Sequence, residues 1–163
     1  DLIKKANLIA GKHGFGRLDM VEDRVVGLKS REIYETPGLL LLINAHKEIE
    51  SLTLNKDVLD FKGLVDKKWG QLIYQGFWFG PLKSALDNFI DETQRSVNGI
   101  VKIRLHKGNA FVIGRSSAKN SLYRNDLVTY SKDDKFKHEN AEGFIYMWGM
   151  SNKIWAESRE KEF

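Results

Sequence analysis

The chain has 163 residues, of which 42% are hydrophobic and 29% charged, so it carries enough apolar material for a folded core and is not expected to be disordered. It contains no cysteine, which excludes disulfides, thiolate metal sites and a cysteine nucleophile and fits a reducing compartment such as the cytoplasm. The net charge of +4 arises from 26 basic and 22 acidic residues that are interspersed along the sequence, which argues against a basic segment that binds nucleic acid.

Several other classes of protein receive no support from the sequence. No apolar run is long enough to span a membrane and no secretory signal opens the chain, so we expect no membrane association. The four histidines do not pair at the spacing of metal ligands, and we predict no metal site. The first residue is Asp1 rather than Met, which indicates an excised or processed piece of a longer protein.

The first third of the chain is predicted to form a helix, a hairpin and a second helix. Apolar residues at helical spacing over residues 2–10 predict a helix that stops at Gly11. After a glycine-rich turn, residues 18–21 alternate as in a strand, and residues 25–28 suggest a second strand beyond a bend at 22–24. Thr36 and Pro37 then begin a helix that is apolar on all sides over residues 39–43, which predicts a buried, central position.

Two further helices and a hairpin follow. Asn55 is placed to cap a helix that ends near Gly76, and Pro81 is placed to begin the next one. We expect each helix to bury an apolar stripe, formed in the first by Val58, Phe61, Val65, Trp69 and Leu72 and in the second by Leu82, Ala85, Leu86, Phe89 and Ile90. Residues 100–114 alternate between apolar and polar on both sides of a short turn, which is the clearest hairpin signal in the chain.

The last part of the chain is predicted to contain a short strand near residues 127–130, a charged loop, and a helix over residues 138–148. That helix should turn Phe144, Ile145 and Trp148 inward. Residues 157–163 are predicted to form a frayed tail. Because strands and helices occur in runs and do not strictly alternate, the sequence predicts an α+β fold, organised as one domain over residues 1–163.

Residues 17–35 form a cluster of mixed charges with two possible interpretations. One is a surface hairpin with ion pairs, which contribute little individually. The other is a site for a zwitterionic ligand, with the cations facing phosphate or carboxylate. The cations are Arg17, Arg24, Lys29 and Arg31, and the carboxylates that could pair with them are Asp19, Glu32 and Glu35. The preceding turn at residues 11–16 lacks the Gly-Lys-Ser/Thr ending of a P-loop, so we interpret its glycines as a backbone feature.

Residues 11–37 also carry a family resemblance. They contain Gly-Lys-His-Gly-Phe-Gly-Arg-Leu-Asp-Met-Val-Glu-Asp-Arg, followed by Gly-Leu-Lys-Ser-Arg-Glu-Ile-Tyr-Glu-Thr-Pro. These two motifs resemble the signature of the argininosuccinate synthases. The likeness continues at residues 76–78, 114–117 and 121–123 and extends to about Trp155, which implies the later part of the family's synthetase domain.

The resemblance implies an ATP-dependent ligase of arginine biosynthesis that joins citrulline to aspartate through a citrullyl-adenylate. In that family ATP with Mg binds mainly in an amino-terminal domain, at a Ser-Gly-Gly-Leu-Asp-Thr-Ser loop that this sequence lacks. We therefore expect the chain to hold no cofactor and to be inactive alone, while supplying part of the citrulline site and subunit contacts. The resemblance further implies a cytoplasmic homotetramer.

The resemblance assigns Glu22 and Tyr34 to citrulline binding. A carboxylate accepts charge-assisted hydrogen bonds from an ammonium, and a phenol can donate or accept. Arg24, Lys29 and Arg31 are candidates for a supporting role, and no catalytic residue is assigned.

The sequence departs from the family pattern at three positions. Asp23 stands where Asn is usual, Glu32 where the family often has Gly, and Ala118 where it usually has Pro. Asp23 adds a negative charge beside the predicted site, and Ala118 leaves the rigidity of its loop open.

Two other functions remain open at this point. A nucleic-acid module would use the run Phe77-Trp78-Phe79 to stack bases and would bind RNA in a salt-dependent way, although such a run is more often core or a subunit contact. A non-catalytic folding or oligomerisation module is the stronger alternative, and size-exclusion chromatography with light scattering would address it.

Overall fold

The computed structural model describes residues 1–129, Lys132 and residues 135–160. Within these residues it contains five α-helices and two antiparallel hairpins, which confirms the predicted α+β fold. The chain divides into two compact units, Asp1–Tyr123 and Arg124–Phe163, which are described separately. The organisation of residues 1–163 as one domain stays a prediction.

The first unit contains eight elements, and the described residues of the second contain two. In the first unit these are α1 (Leu2–Lys12), β1 (Arg17–Asp23), β2 (Lys29–Glu35), α2 (Pro37–Thr53), α3 (Lys56–Tyr74), α4 (Pro81–Gln94), β3 (Ile100–His106) and β4 (Asn109–Ser116). α1 packs along α2, α3 packs on α4, and the β3–β4 hairpin packs on α2. The second unit contains a 3-10 turn (Asn125–Leu127) and α5 (Glu139–Glu160). In the described part of the chain, no helix has the length and apolar character needed to cross a bilayer.

The second strand of the first hairpin starts later than predicted. β2 begins at Lys29 and pairs with β1 in antiparallel register, with Arg17 opposite Glu35. Residues 25–28, which were expected to form this strand, lie in the turn, where the Gly27 N–H donates to the Arg24 carbonyl at 2.7 Å. Gly27 has φ +83°, a backbone conformation that glycine adopts without a Cβ clash. The Arg24 N–H also donates to the Leu28 carbonyl at 2.8 Å, so the turn closes at Leu28 and the strand starts with the charged segment at Lys29.

A side chain from α1 caps α2. The Gly38 N–H donates to Asn7 Oδ1 at 2.7 Å, whereas the predicted cap, Thr36, makes no side-chain capping bond. Gly38 is buried, and a Cβ at this position would lie 2.6 Å from the same Asn7 oxygen. The close approach therefore fixes the direction in which α2 leaves the first hairpin.

The core of the first unit is small. Its buried apolar residues are Ala6, Ala10, Ile49, Leu54, Val65 and Leu72. The prediction that α2 is buried on all sides is wrong: Leu39 and Ile43 are about half exposed, because α1 and the β3–β4 hairpin cover only part of its circumference. Phe61 on α3 and Leu82 and Ala85 on α4 are also exposed, because these two helices pack mainly on each other.

The second hairpin has the predicted form. β3 and β4 are antiparallel and are joined by Lys107 (φ 45°) and Gly108 (φ 79°), two positive values that are typical of a type I′ turn. The Gly108 N–H donates to the His13 carbonyl at 2.7 Å. This bond attaches the tip of the second hairpin to the glycine-rich turn that leads into β1.

The helix of the second unit is longer than predicted and more exposed. Phe144, Ile145 and Trp148, which were expected to face inward, are between 61% and 76% exposed, because within this unit the other described element is a single 3-10 turn. Leu127 belongs to that turn instead of starting a strand, and Tyr130 lies outside the described residues. Residues 157–160 form the last turn of α5 and residues 161–163 lie outside the described residues, so the frayed tail stays a prediction.

Candidate functional site

Glu22 and Tyr34 lie on the same face of the first hairpin and are in contact. Tyr34 is opposite Leu18, and Glu22 is opposite Ser30. Opposed residues of an antiparallel pair project to one side, and side chains two residues apart on a strand share that side. Tyr34 Oη lies 3.1 Å from each carboxylate oxygen of Glu22 and donates its hydrogen to that carboxylate. The fold therefore brings together the two residues that were assigned to citrulline.

The carboxylate changes the ionisation of the phenol. The hydrogen bond to Glu22 raises the pKa of Tyr34 above its ordinary value of 10.0, and desolvation and the charges of Glu22 and Glu32 act in the same direction, while Arg24 opposes them. Tyr34 is therefore a neutral hydrogen-bond donor at physiological pH. Because Tyr34 is 41% exposed, a ligand can reach this donor.

Arg24 joins the same face through Glu32. The Arg24 side chain extends from the turn, and its Nη2 donates to Glu32 Oε1. Glu32 is two residues before Tyr34 on β2, so its side chain projects to the same side. It is 33% exposed, the lowest value among the four carboxylates that form ion pairs in this hairpin. Among the described residues, this face, which we call the Glu22 face, carries two carboxylates, one guanidinium and one phenol.

The remaining cations of the hairpin lie on the opposite face. Its ion pairs are Arg31–Asp19, Lys29–Asp23 and Arg17–Glu35, with N–O distances of 2.5, 2.6 and 2.9 Å. The double hydrogen bond from Arg31 lowers the pKa of the Asp19 carboxyl. Lys29 and Arg31 are therefore not brought to Glu22 and Tyr34, and the ion-pair interpretation describes their contacts.

One polar atom on the Glu22 face has no partner among the residues that the structure describes. Ser30 Oγ is buried and accepts or donates no hydrogen bond within the described residues. Ser30 is opposite Glu22 in the register. Buried hydroxyls are nearly always hydrogen-bonded in folded proteins, so an unpaired one on this face needs an explanation.

The glycine-rich turn has a backbone role. Gly16 has φ +98°, and its carbonyl accepts a hydrogen bond from the Thr36 N–H at 2.8 Å. A Cβ at Gly16 would lie 2.2 Å from Pro37 Cα, a distance that no side chain tolerates. Glycine is therefore required where the start of β1 meets the start of α2. A recess of about 300 Å³ adjoins this turn, lined by Asn7, Gly11, Gly14, Phe15, Gly16, Arg17, Glu35 and Pro37.

Comparison with known proteins identifies the family. Residues 1–155 match the family model described as "Arginosuccinate synthase C-terminal domain". The chain belongs to this family.

Curated relatives agree with this assignment. The argininosuccinate synthase of Prochlorococcus marinus subsp. pastoris (strain CCMP1986 / NIES-2087 / MED4) is 78% identical over 162 residues, which cover 99% of this chain and 40% of the relative. The argininosuccinate synthase of Prochlorococcus marinus (strain MIT 9211) is 65% identical over 160 residues, which cover 98% of this chain and 40% of the relative. The chain thus spans about 40% of the length of the argininosuccinate synthases that it matches.

Two departures from the argininosuccinate synthase motifs form ion pairs. Asp23 pairs with Lys29 on the opposite face of the hairpin, so its charge does not lie beside Glu22 and Tyr34 as expected. Glu32 pairs with Arg24 on the Glu22 face itself.

Sequence reasoning missed a buried ionic cluster between α2, α3 and α4. Lys62 Nζ lies 3.0 Å from Glu50 Oε1 and 2.6 Å from Asp66 Oδ2, and Lys62 and Glu50 are both less than one-tenth exposed. Gln94 donates to the same Glu50 oxygen at 2.8 Å, and His46 Nε2 lies 3.3 Å from it. No local sequence signal marks this cluster, because its members come from three helices. Within the described ranges, no group of three or more histidines and carboxylates is arranged to hold a metal ion.

Proposed function

We propose that this chain forms one wall of the citrulline site of an argininosuccinate synthase, which joins citrulline to aspartate with ATP in arginine biosynthesis. The observation that carries the proposal is the contact between Tyr34 and Glu22 on one exposed face of the first hairpin. Membership of the argininosuccinate synthase C-terminal domain family supports it.

The two side chains offer complementary chemistry to a zwitterionic amino acid. The Glu22 carboxylate accepts hydrogen bonds from an ammonium or ureido N–H, and such charge-assisted bonds are roughly twice as strong as neutral ones. The Tyr34 hydroxyl donates, and in the absence of ligand it satisfies Glu22. Citrulline would compete for this hydrogen bond, so binding exchanges one polar partner for another and leaves no charge unpaired.

The remaining steps of the reaction belong to other parts of the enzyme in this proposal. ATP with Mg, the aspartate site and the groups that stabilise the citrullyl-adenylate lie in the portion of the relatives that this chain does not match, which is the larger part of their length. The complete enzyme is a cytoplasmic homotetramer, and the chain contributes subunit contacts as well as the wall of the site.

The experiment uses an enzyme completed with the remaining part of the MED4 relative, which we call the completed enzyme. Glu22→Gln and Tyr34→Phe should raise the KM for citrulline or lower kcat, because each removes a hydrogen bond to a charged or reacting group. Glu35→Gln is the matched control, since it removes a carboxylate from the opposite face. Wild-type kinetics in both site variants would remove the assignment.

A second candidate function is a non-catalytic folding or oligomerisation module. The observation in its favour is the exposed apolar surface of the chain, which includes Phe77 and Trp78 in the first unit and Phe144 and Trp148 on α5. Light scattering on the purified chain separates the candidates: a monomer without self-association counts against this module.

A further inference from the structure

Glu32 gives the Glu22 face a second carboxylate. The face carries Glu22, Glu32 and Arg24, which sum to one negative charge. The guanidinium of Arg24, the cation that the described residues place on this face, is already bonded to Glu32. With glycine in place of Glu32, the face would be neutral and Arg24 would be free to bind a ligand carboxylate.

We propose that Glu32 is a specificity-determining residue of the Glu22 face, which reserves this wall for the ammonium end of a zwitterionic amino acid and closes it to the carboxylate end. The inference rests on the proposed function, because it names the ligand group that the same site takes. It assigns Glu32 two actions: its negative charge attracts the ammonium, and its bond to Arg24 keeps that cation from a carboxylate.

Burial and contact distinguish Glu32 from the other paired carboxylates of the hairpin. Its side chain is half as exposed as those of Asp23 and Glu35, at 33% against 61% and 69%. Lower exposure weakens solvent screening, so Glu32 acts more strongly on a bound charge than those residues do. Its charge also acts on Tyr34, as do Glu22 and Arg24. The three charged groups and the Tyr34 phenol therefore interact electrostatically with one another.

The unpaired Ser30 hydroxyl is a second observation on this face. It is buried opposite Glu22 and has no partner in the described part of the chain. When a ligand ammonium draws Glu22 away from Tyr34, the Ser30 hydroxyl is the neighbouring donor able to bond that carboxylate.

The test compares Glu32→Gln with Arg24→Gln in the completed enzyme. If Glu32 only stabilises the hairpin, both variants break the same ion pair and should change the citrulline KM equally. The proposal predicts different results. Glu32→Gln should raise the KM about two- to five-fold with kcat unchanged, a size typical of one partly screened charge. Arg24→Gln should lower the KM, because Glu32 is then unneutralised and attracts the ammonium more strongly.

A ligand without an ammonium provides the second measurement. N-acetyl-L-citrulline keeps the carboxylate and the ureido group but carries no positive charge, so Glu32→Gln should leave its inhibition constant unchanged or improve it. Equal KM changes in the two variants, no KM change in Glu32→Gln, or equal weakening of citrulline and N-acetyl-L-citrulline would each overturn the inference. Glu35→Gln again serves as the control, with thermal unfolding to verify that every variant is folded.

The citrulline site and the role of Glu32 can be tested separately. Wild-type kinetics in both Glu22→Gln and Tyr34→Phe would remove the assignment of the site itself. If Glu32→Gln has wild-type kinetics while Glu22→Gln and Tyr34→Phe do not, the citrulline site stands and only the role of Glu32 is removed.

Discussion

Lys62 donates to Glu50 across 3.0 Å between α3 and α2, and both side chains are less than one-tenth exposed. Breaking a buried ion pair on one side leaves an uncompensated charge. We expect Lys62→Met to lower the free energy of unfolding by about 2–3 kcal/mol, below the usual range for buried pairs because the neighbouring Asp66 is open to water.

The matched control for this prediction removes both charges. Lys62→Met combined with Glu50→Leu should recover much of the loss, since a buried pair replaced by apolar groups is often neutral. Urea denaturation of the chain measures both variants. A double variant that is as unstable as the sum of the two single variants would contradict the prediction.

The same pair makes stability depend on pH. Burial alone raises the pKa of Glu50, but hydrogen bonds from Lys62 and Gln94 outweigh burial and leave the pKa below its ordinary 4.5. A carboxyl with a lowered pKa stabilises the fold above its unfolded pKa, and this contribution is lost as the pH falls through the folded pKa. We therefore expect the free energy of unfolding to decline below about pH 4.5, and less steeply in Glu50→Gln.

At high pH, the dependence of the free energy of unfolding on pH has the opposite sign. Burial lowers the pKa of Lys62, but hydrogen bonds to Asp66 and Glu50 leave it above its ordinary 10.5. The stabilisation from Lys62 is therefore complete below pH 10.5 and is lost as the pH rises through the folded pKa. Denaturant midpoints measured from pH 3 to pH 11 test both limbs, and a Glu50→Gln profile that is parallel to the wild type at low pH would contradict the assignment.

Two glycines with positive φ offer a matched comparison. A Cβ at Gly27 meets no atom of the described residues within 4 Å, so Gly27→Ala should cost only the left-handed backbone strain, about 1 kcal/mol. A Cβ at Gly16 would lie 2.2 Å from Pro37 Cα, so Gly16→Ala should cost the strain and in addition displace the hairpin from α2. We expect Gly16→Ala to destabilise the chain at least twice as much in thermal unfolding. Equal effects would show that the contact relaxes without cost.

The chain alone should not ligate citrulline to aspartate. It matches 40% of the length of the argininosuccinate synthases, and the proposal places the ATP site outside that portion. We expect no ATP-dependent release of pyrophosphate by the purified chain in the presence of both amino acids, whereas the completed enzyme should release it. Pyrophosphate above the level of a protein-free control would contradict this expectation.

Local signals predicted the elements whose stabilisation is local. The β3–β4 hairpin was predictable because alternation and turn residues agree over one short stretch. The Asn55 cap was predictable because its side chain accepts the Val58 N–H three residues later, at 3.0 Å. Both features can be recognised from neighbouring residues in the sequence alone.

Elements whose stabilisation comes from distant residues were misplaced or missed. Val25 and Val26 resemble a strand, but they lie in a turn that contains Gly27 at positive φ and is closed by the hydrogen bond from Arg24 to Leu28, so the strand forms from the charged residues beyond it. The cap of α2 comes from Asn7, far upstream of the predicted Thr36. The exposure of α2 depends on how much of its surface other elements cover, which no local pattern contains.

The candidate site shows the same division. The resemblance placed Glu22 and Tyr34 together, and the register brings them into contact. It did not separate Arg24 from Lys29 and Arg31, because the face on which each cation lies depends on the true start of β2.

The hydrogen bond from Gly108 to His13 connects the hairpin tip with a turn that is far upstream in the sequence. A contact of such long range carries a large loop-closure entropy and forms late unless other interactions bring its ends together first. During synthesis, the strands of the first hairpin can pair as soon as they are made. The hydrogen bond at His13 can form only after the ribosome has released the second hairpin. This contact between the two hairpins is thus available only after residue 108 of this chain has been translated.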